Sequence, residues 1–189
     1  MQFEPARSTD QTAILDLEQT ILDDMDVPAY QVIGKRATQA AVREASLIDP
    51  DSHYGYRHAL VARQDDGTVV GVAFGYPAQY EVELDQTLQA IVADRYDYHD
   101  WVFLDREGQG EEWYLDSIVV SDQARGQGVG GQLLNYAAQA AGQAGFKIIG
   151  LNVDDLNPRA KKLYLAQGFE FDKKVQIGSH SYSHLQRKL

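Results

Sequence analysis

Four glycines fall within six positions, Gly126, Gly128, Gly130 and Gly131, between the apolar run Trp113–Val120 and a helix-forming stretch, Gln132–Ala144. A strand, a glycine-rich turn and a helix in succession leave few folds open. Without Cβ atoms the backbone can approach a ligand closely, and consecutive N–H groups can point at anionic oxygens. The following helix adds its positive N-terminal end, so the segment reads as a pyrophosphate cradle.

The spelling of the loop separates phosphate-binding designs. A P-loop requires Gly-x-x-x-x-Gly-Lys-Ser/Thr, and no lysine follows these glycines, so that reading is excluded. Gly126, Gly128 and Gly131 do satisfy Gly-x-Gly-x-x-Gly, which keeps a nicotinamide-dependent oxidoreductase as an alternative. Against it, the polar run Ser121–Arg125 separates strand from glycine, and about 60 residues remain, too few to complete a doubly wound sheet.

With 189 residues, 44% of them hydrophobic, and no Pro/Gly/Ser-rich linker, residues 1–189 are expected to form one domain. The absence of a long apolar run and of a basic-then-apolar leader leads to an expected cytoplasmic location. Zero cysteines exclude disulfides, cysteine-ligated zinc and a thioester carried on the enzyme. The net charge of −11 disfavours nucleic acid and anionic membranes and favours cationic partners. Residues 81–112 hold ten acids against Arg95 and Arg106, a local balance of −8. A solvated surface explains most such runs. Here the run leads directly into the strand before the glycine loop.

Periodicity sets out the elements. Gln2–Arg7 reads as an edge strand, and Ser8-Thr9-Asp10 caps a helix carrying Ile14, Leu15, Leu17, Ile21 and Leu22. A second helix is expected over Ala29–Leu47. Strands over Tyr56–Arg63 and Thr68–Tyr76 are joined through Asp65-Asp66-Gly67, a hairpin signal. Residues 78–110 are too many for a simple turn and should carry structure, with a helix over Glu81–Arg95. Phe146–Val153 reads as a strand parallel to Trp113–Val120 because a helix crosses between them. Asn157-Pro158 starts a last helix that Gly168 stops, before an antiparallel pair, Phe169–Ile177 and Ser181–Arg187. His180 and His184 lie in this hairpin and are read as structural or surface groups rather than metal ligands; no metal site is expected.

Arg125-Gly126-Gln127-Gly128-Val129-Gly130 spells Arg-x-x-Gly-x-Gly, and Asn157, Ala160, Tyr164, Gly168 and Phe169 follow the pattern Asn-x-x-Ala-x-x-x-Tyr-x-x-x-Gly-Phe. In both motifs, and in their order, the chain resembles the GNAT superfamily of N-acetyltransferases. The match is firm over residues 112–171 and absent from 78–110. The resemblance implies a mixed α/β fold: a central mixed sheet flanked by helices, here with a segment inserted between the third and fourth strands. It implies acetyl-CoA as co-substrate, with direct transfer to a primary amine, small molecule or peptide. It implies that the backbone around Arg125, Gly126, Gln127, Gly128, Val129 and Gly130 holds the pyrophosphate. Ile118, Val119 and Val120 would bond pantetheine along the fourth strand, and Asn157 would reach the same arm. Tyr164, two helical turns from Asn157, would be the general acid for the departing thiolate.

For the base, Glu112, Tyr114, Asp116, Ile118 and Val120 share one parity on the fourth strand, so Asp116 and Glu112 are both candidates on a common acceptor-side face. A bulge in that strand would break the parity. Tyr98 and Trp101 are read as faces for a cationic acceptor. A non-catalytic acyl-CoA-binding module on the same fold stands as the other alternative, and a homodimer is compatible with the chain.

Overall fold

The computed structural model describes residues 1–25 and 27–189. Among them, seven strands form one mixed sheet in the order β1-β2-β3-β4-β5-β7-β6. The strands are β1 (Gln2–Pro5), β2 (Ala59–Arg63), β3 (Val69–Pro77), β4 (Trp113–Val120), β5 (Ile148–Asp154), β6 (Glu170–Ile177) and β7 (His180–Lys188). The helices are α1 (Gln11–Asp24), α2 (Lys35–Ile48), α3 (Glu81–Leu84), α4 (Gln86–Tyr96), α5 (Val129–Gln143) and α6 (Pro158–Ala166).

The two sheet faces carry separate cores. On one, Ile14, Leu15 and Leu22 of α1, Ala41 and Val42 of α2, and Leu88 and Val92 of α4 pack against Val61, Val72, Phe74 and Val119. On the other, Leu133, Leu134, Ala137 and Ala141 of α5 meet Ala73, Leu115, Ile149, Leu151 and Leu185. The apolar stripe of α5 therefore faces the sheet, as the crossover from β4 to a parallel β5 requires.

Two features of β4 create the opening in this sheet. Among the described residues it is parallel to β5 only at Trp113↔Ile149 and Tyr114↔Gly150, so Leu115–Val120 has no strand partner there on that side. On its other side, the register against β3 jumps from Phe74↔Ser117 to Gly75↔Leu115, which leaves Asp116 as a bulged residue. The bulge corrects the parity argument. Tyr114 and Asp116 look toward Tyr76, as does the α1 face carrying Val119, while Ile118 packs with Ala73 and Leu115 on the α5 face. One extra residue has moved Ile118 and Val120 to the face opposite Asp116.

Other boundaries shift for local reasons. The expected helix over 29–47 is broken at Gly34, whose φ of +89° ends a π-turn, Tyr30–Gly34, before α2 begins. The strand expected from Tyr56 starts at Ala59, after a 3₁₀ turn. α5 starts at Val129, so Gly130 and Gly131 belong to its first turn. The helix expected over Glu81–Arg95 is split into α3 and α4 at Asp85. Tyr98, read as a cation-facing ring, is buried in the α1-side core instead.

Candidate active site

A groove of about 430 Å³ opens where β4 and β5 part. Ile118, Val119 and Val120 line one side. Arg125, Gly126, Gly128, Val129 and Gly130 form its end, Asn157 and Tyr164 the other wall, and Thr20 and Ile21 of α1 close it. The turn is shaped by Gly126 and Gly128, each with φ +78°, a left-handed conformation that leaves the first amides of α5 free. A side chain at Gly126 would meet nothing within 4 Å, so the glycine serves conformation and access rather than packing.

Gln127, named from sequence for its backbone amide, is not among the lining residues, and its side chain donates to the Gln123 carbonyl. Arg125 donates from Nε to the Val120 carbonyl at 3.1 Å and pairs with Asp122, so the loop partly neutralises it. Arg159, in the first turn of α6, lies on the groove too and carried no motif signal of its own. Asn157 caps α6 by accepting from the Ala160 N–H at 3.0 Å through Oδ1. Capping occupies only the oxygen, and the Nδ2 group remains a donor toward the groove. Tyr164 sits against Phe169, and burial pushes its hydroxyl up to about 12, so it is protonated throughout the neutral range.

One helical turn along α1 from Ile21, a second cavity of about 340 Å³ begins at Asp24 and Met25. Its walls are Phe103, Leu104, Asp105 and Glu107 from the inserted segment, Asp154 from the end of β5, and His180 and Tyr182 from β7. Four carboxylates thus face one cleft. Trp101 is not among its walls. The acidic segment is not simply a solvated surface: Glu81, Asp85 and Glu112 are all buried. Glu81 accepts from the N–H groups of Glu107 and Gly108, which fixes the loop that presents Glu107.

Glu107 was not singled out by sequence, since nothing distinguishes it within an acidic run. Its Oε2 accepts from the Tyr114 hydroxyl at 2.6 Å. Burial and the nearby Asp116 charge raise its pKa to about 7, against the lowering effect of the Tyr114 hydrogen bond.

The two carboxylates named from sequence lie elsewhere. Glu112 is 1% exposed and accepts from the Gln109 N–H and from Gln186 Nε2, with His184 Nε2 3.2 Å away; it lines neither the groove nor the acidic cleft. Asp116 accepts from Tyr76 at 3.1 Å and contacts His53 Nε2 at 3.1 Å, while His53 Nδ1 meets Asp85 at 2.9 Å. Burial alone would lower the His53 pKa, but the two carboxylates outweigh it and hold the ring well above its ordinary value. On the far side of the bulge Ser117 Oγ donates to Glu18, an enclosed carboxyl that burial and Asp116 drive toward the neutral form. His184, read from sequence as a structural or surface group, and His53, not singled out there, are each the centre of a buried polar network. Only their contacts across the sheet reveal it.

The model of the Acetyltransferase (GNAT) family matches residues 21–169. The uncharacterized N-acetyltransferase YhfO of Bacillus subtilis (strain 168) is 29% identical over 131 residues, 59% of this chain and 88% of that protein. A solved acetyltransferase structure superimposes with a TM-score of 0.83 at 34% identity, covering 100% of this chain and 99% of that one. An N-acetyltransferase from Staphylococcus aureus Mu50 shares the fold at TM-score 0.84 and 22% identity, covering 98% of this chain and 100% of that one. No helix among the described residues is long and apolar enough to cross a membrane. A glycine turn at a helix N-terminus, set beside two parallel strands that part, thus belongs to a known lineage: the chain is a member of the GNAT acetyltransferase family, N-acetyltransferases that use acetyl-CoA as co-substrate.

Proposed function

We propose that this enzyme acetylates a primary amine, on a small molecule or a peptide, that carries positive charge beyond the reacting nitrogen, and that Glu107 is its general base. The observation that carries the reading is the position of Glu107, in an acidic cleft one turn of α1 away from the groove, with a proton affinity near neutrality. Residues 1–189 act as one catalytic unit in this reading, and the 78–110 segment supplies its acceptor side.

Acetyl-CoA, when bound, supplies the activated acetyl thioester. The free amides at the start of α5 suit its pyrophosphate, with Arg125 and Arg159 beside them, and the unpartnered edge of β4 with Asn157 suits the pantetheine arm. In the cleft, Asp24, Asp105, Glu107 and Asp154 attract an ammonium, and Phe103 and Tyr182 offer it aromatic faces. Glu107 accepts the proton that the amine must lose, directly or through water, as nitrogen attacks the thioester carbon. A carboxylate with a pKa near the working pH suits that task better than an ordinary surface acid. As the C–N bond forms and the C–S bond breaks, the sulfur accumulates charge, and the Tyr164 hydroxyl faces it as a donor. At about 12 its pKa exceeds that of an ordinary thiol, roughly 8.5, so hydrogen bonding to the departing thiolate is its main contribution.

The test compares Glu107→Gln, Asp116→Asn and Glu112→Gln by CoA release over a panel of oligoamines, basic peptides and neutral or acidic amines. Glu107→Gln is expected to lower kcat by about 10²-fold or more and to remove the rising pH limb near 7, with acetyl-CoA affinity retained. A Glu107→Gln enzyme of full rate would overturn the base assignment. Preference for acidic acceptors would overturn the substrate class.

A further inference from the structure

One face of the sheet carries an unbroken line of polar contacts running from the acceptor cleft to the interior of the β4-β5-β7 layer. Tyr114 donates to Glu107 Oε2 at 2.6 Å, and Asn152 Nδ2 donates both to the Tyr114 oxygen at 3.2 Å and to the Glu107 carbonyl at 3.0 Å. His184 Nδ1 lies 2.8 Å from Asn152 Oδ1, and His184 Nε2 lies 3.2 Å from Glu112 Oε2. Register explains the line. Asn152 pairs with His184, and Gly150 pairs with both Tyr114 and Gln186, so all these residues stand on one face in adjacent rows.

The directions of these hydrogen bonds are fixed by one end. The Glu107 carbonyl can only accept, so the group of Asn152 facing it must be the NH₂. Asn152 Oδ1 is then the atom facing His184, and the Nδ1 there must carry a proton and donate it. That leaves His184 Nε2 turned to Glu112, whose carboxylate is anchored by the Gln109 N–H at 2.7 Å and Gln186 Nε2 at 2.9 Å. Because Asn152 already donates to the Tyr114 oxygen, the phenolic hydrogen is left to point at Glu107.

We propose that Glu112, His184 and Asn152 form a positioning relay that aims the Tyr114 hydroxyl at Glu107, so that the acceptor-side base is oriented from the interior of the sheet. The proposal rests on Glu107 being that base. None of the three lines the acceptor cavity; Glu112 and His184 act through Asn152, which bonds the Tyr114 oxygen and the Glu107 backbone carbonyl, and the Glu107 carboxylate itself is reached only through Tyr114 among the described residues. An asparagine stands in the middle of the line, so the relay transmits orientation and not a proton. The need for such a device follows from the surroundings of Glu107. Asp116 and Glu81 oppose its charge, Asp24, Asp105 and Asp154 share its cleft with His180 and Tyr182, and His53 and the Tyr114 donor favour its charged form. Among the described residues, Tyr114 is the one neutral group bonded to the carboxylate itself.

The experiment is a double-mutant cycle in the intact enzyme, read from the pH profile of kcat/KM for the amine acceptor, with the acetyl donor, acetyl-CoA, held at a constant saturating concentration. Tyr114→Phe removes a donor that favours ionised Glu107, so the rising limb should move upward by roughly half to one pH unit. His184→Gln should move it in the same direction, lower kcat several-fold and leave the KM for acetyl-CoA unchanged. In the Tyr114→Phe background, His184→Gln should have no further effect on the limb. An unmoved limb in folded His184→Gln, or additive shifts in the double variant, would overturn the relay. Loss of the limb in Glu107→Gln with no shift in His184→Gln overturns the relay alone, whereas a limb retained in Glu107→Gln overturns the base reading beneath it. Should His184→Gln not fold, ¹⁵N spectra of the imidazoles in the unmodified protein decide: a proton on His184 Nδ1 at neutral pH is expected, and a bare Nδ1 overturns the proposal.

Discussion

Gly150 lies directly beneath the carboxylate of Glu112: a Cβ at position 150 would stand 2.0 Å from Oε2. Glu112 starts beside β4 and must cross β5 to reach His184 on β7, and only a residue without a side chain lets it pass. Gly150→Ala is expected to lose about 3 kcal/mol, because either the carboxylate loses its buried partners or the strand shifts. Denaturant melts of the two proteins measure this, and equal stability would show that Glu112 has another way across.

A second prediction concerns His53, enclosed between Asp85 and Asp116. Its folded-state pKa is raised, so its contribution to stability is complete below the unfolded value of about 6.5 and disappears as pH climbs through the folded value. His53→Gln leaves two buried carboxylates uncompensated and should cost about 3 kcal/mol at pH 6. The gap to the unmodified protein should persist above the unfolded value and narrow only as pH climbs through the raised folded value. Paired denaturation curves from pH 5 to 10 decide it, and a gap that closes at the ordinary imidazole value of about 6.5 would contradict the raised value.

Gly130 tests the anion cradle without backbone strain, since a Cβ there would meet Val120 only at an ordinary 3.6 Å. Gly130→Glu should weaken acetyl-CoA binding by about 100-fold or more through charge repulsion at the α5 N-terminus, while the melting temperature changes little. Titration calorimetry with acetyl-CoA gives the answer; an unaltered Kd in a folded variant would place the pyrophosphate elsewhere.

Tyr164→Phe retains the ring packed on Phe169 and removes only the hydroxyl. The expected outcome is a drop in kcat of about tenfold or more with the acetyl-CoA dissociation constant preserved, since the donor acts as the thiolate departs. Single-turnover measurements separate this from product release, and a full chemical rate would make Tyr164 a packing residue.

Asp24 is exposed at the rim of the acidic cleft, and Asp24→Asn changes charge with little change in shape. For an oligoamine acceptor, kcat/KM should fall several-fold in this variant and should fall with ionic strength in the unmodified enzyme. A flat salt response would remove electrostatic attraction from the mechanism.

How much of this was legible before folding differs between the two halves of the site. The glycine turn, the helix behind it and the Asn157–Tyr164 spacing are local: their geometry follows from missing Cβ atoms and a 3.6-residue period, both written in consecutive residues. The structure brings Gly126, Gly128, Val129, Gly130, Asn157 and Tyr164 to one groove, while the Gln127 side chain turns to Gln123. The acceptor side was decided by packing. A single bulged residue, Asp116, separated the face of Tyr114 from that of Ile118, and no composition or periodicity of β4 announces it. Glu107 and Glu112 lie five positions apart in the same acidic run. One ended in an open cleft with a raised proton affinity and the other became an interior partner of His184, because burial and neighbours fix what a carboxylate does and both come from strands distant in sequence. The sequence alone determined the glycine turn at the start of α5, because missing Cβ atoms and helical period are local; the tertiary structure alone decided which of the chain's many acids line the cleft, because burial and neighbours come from packing.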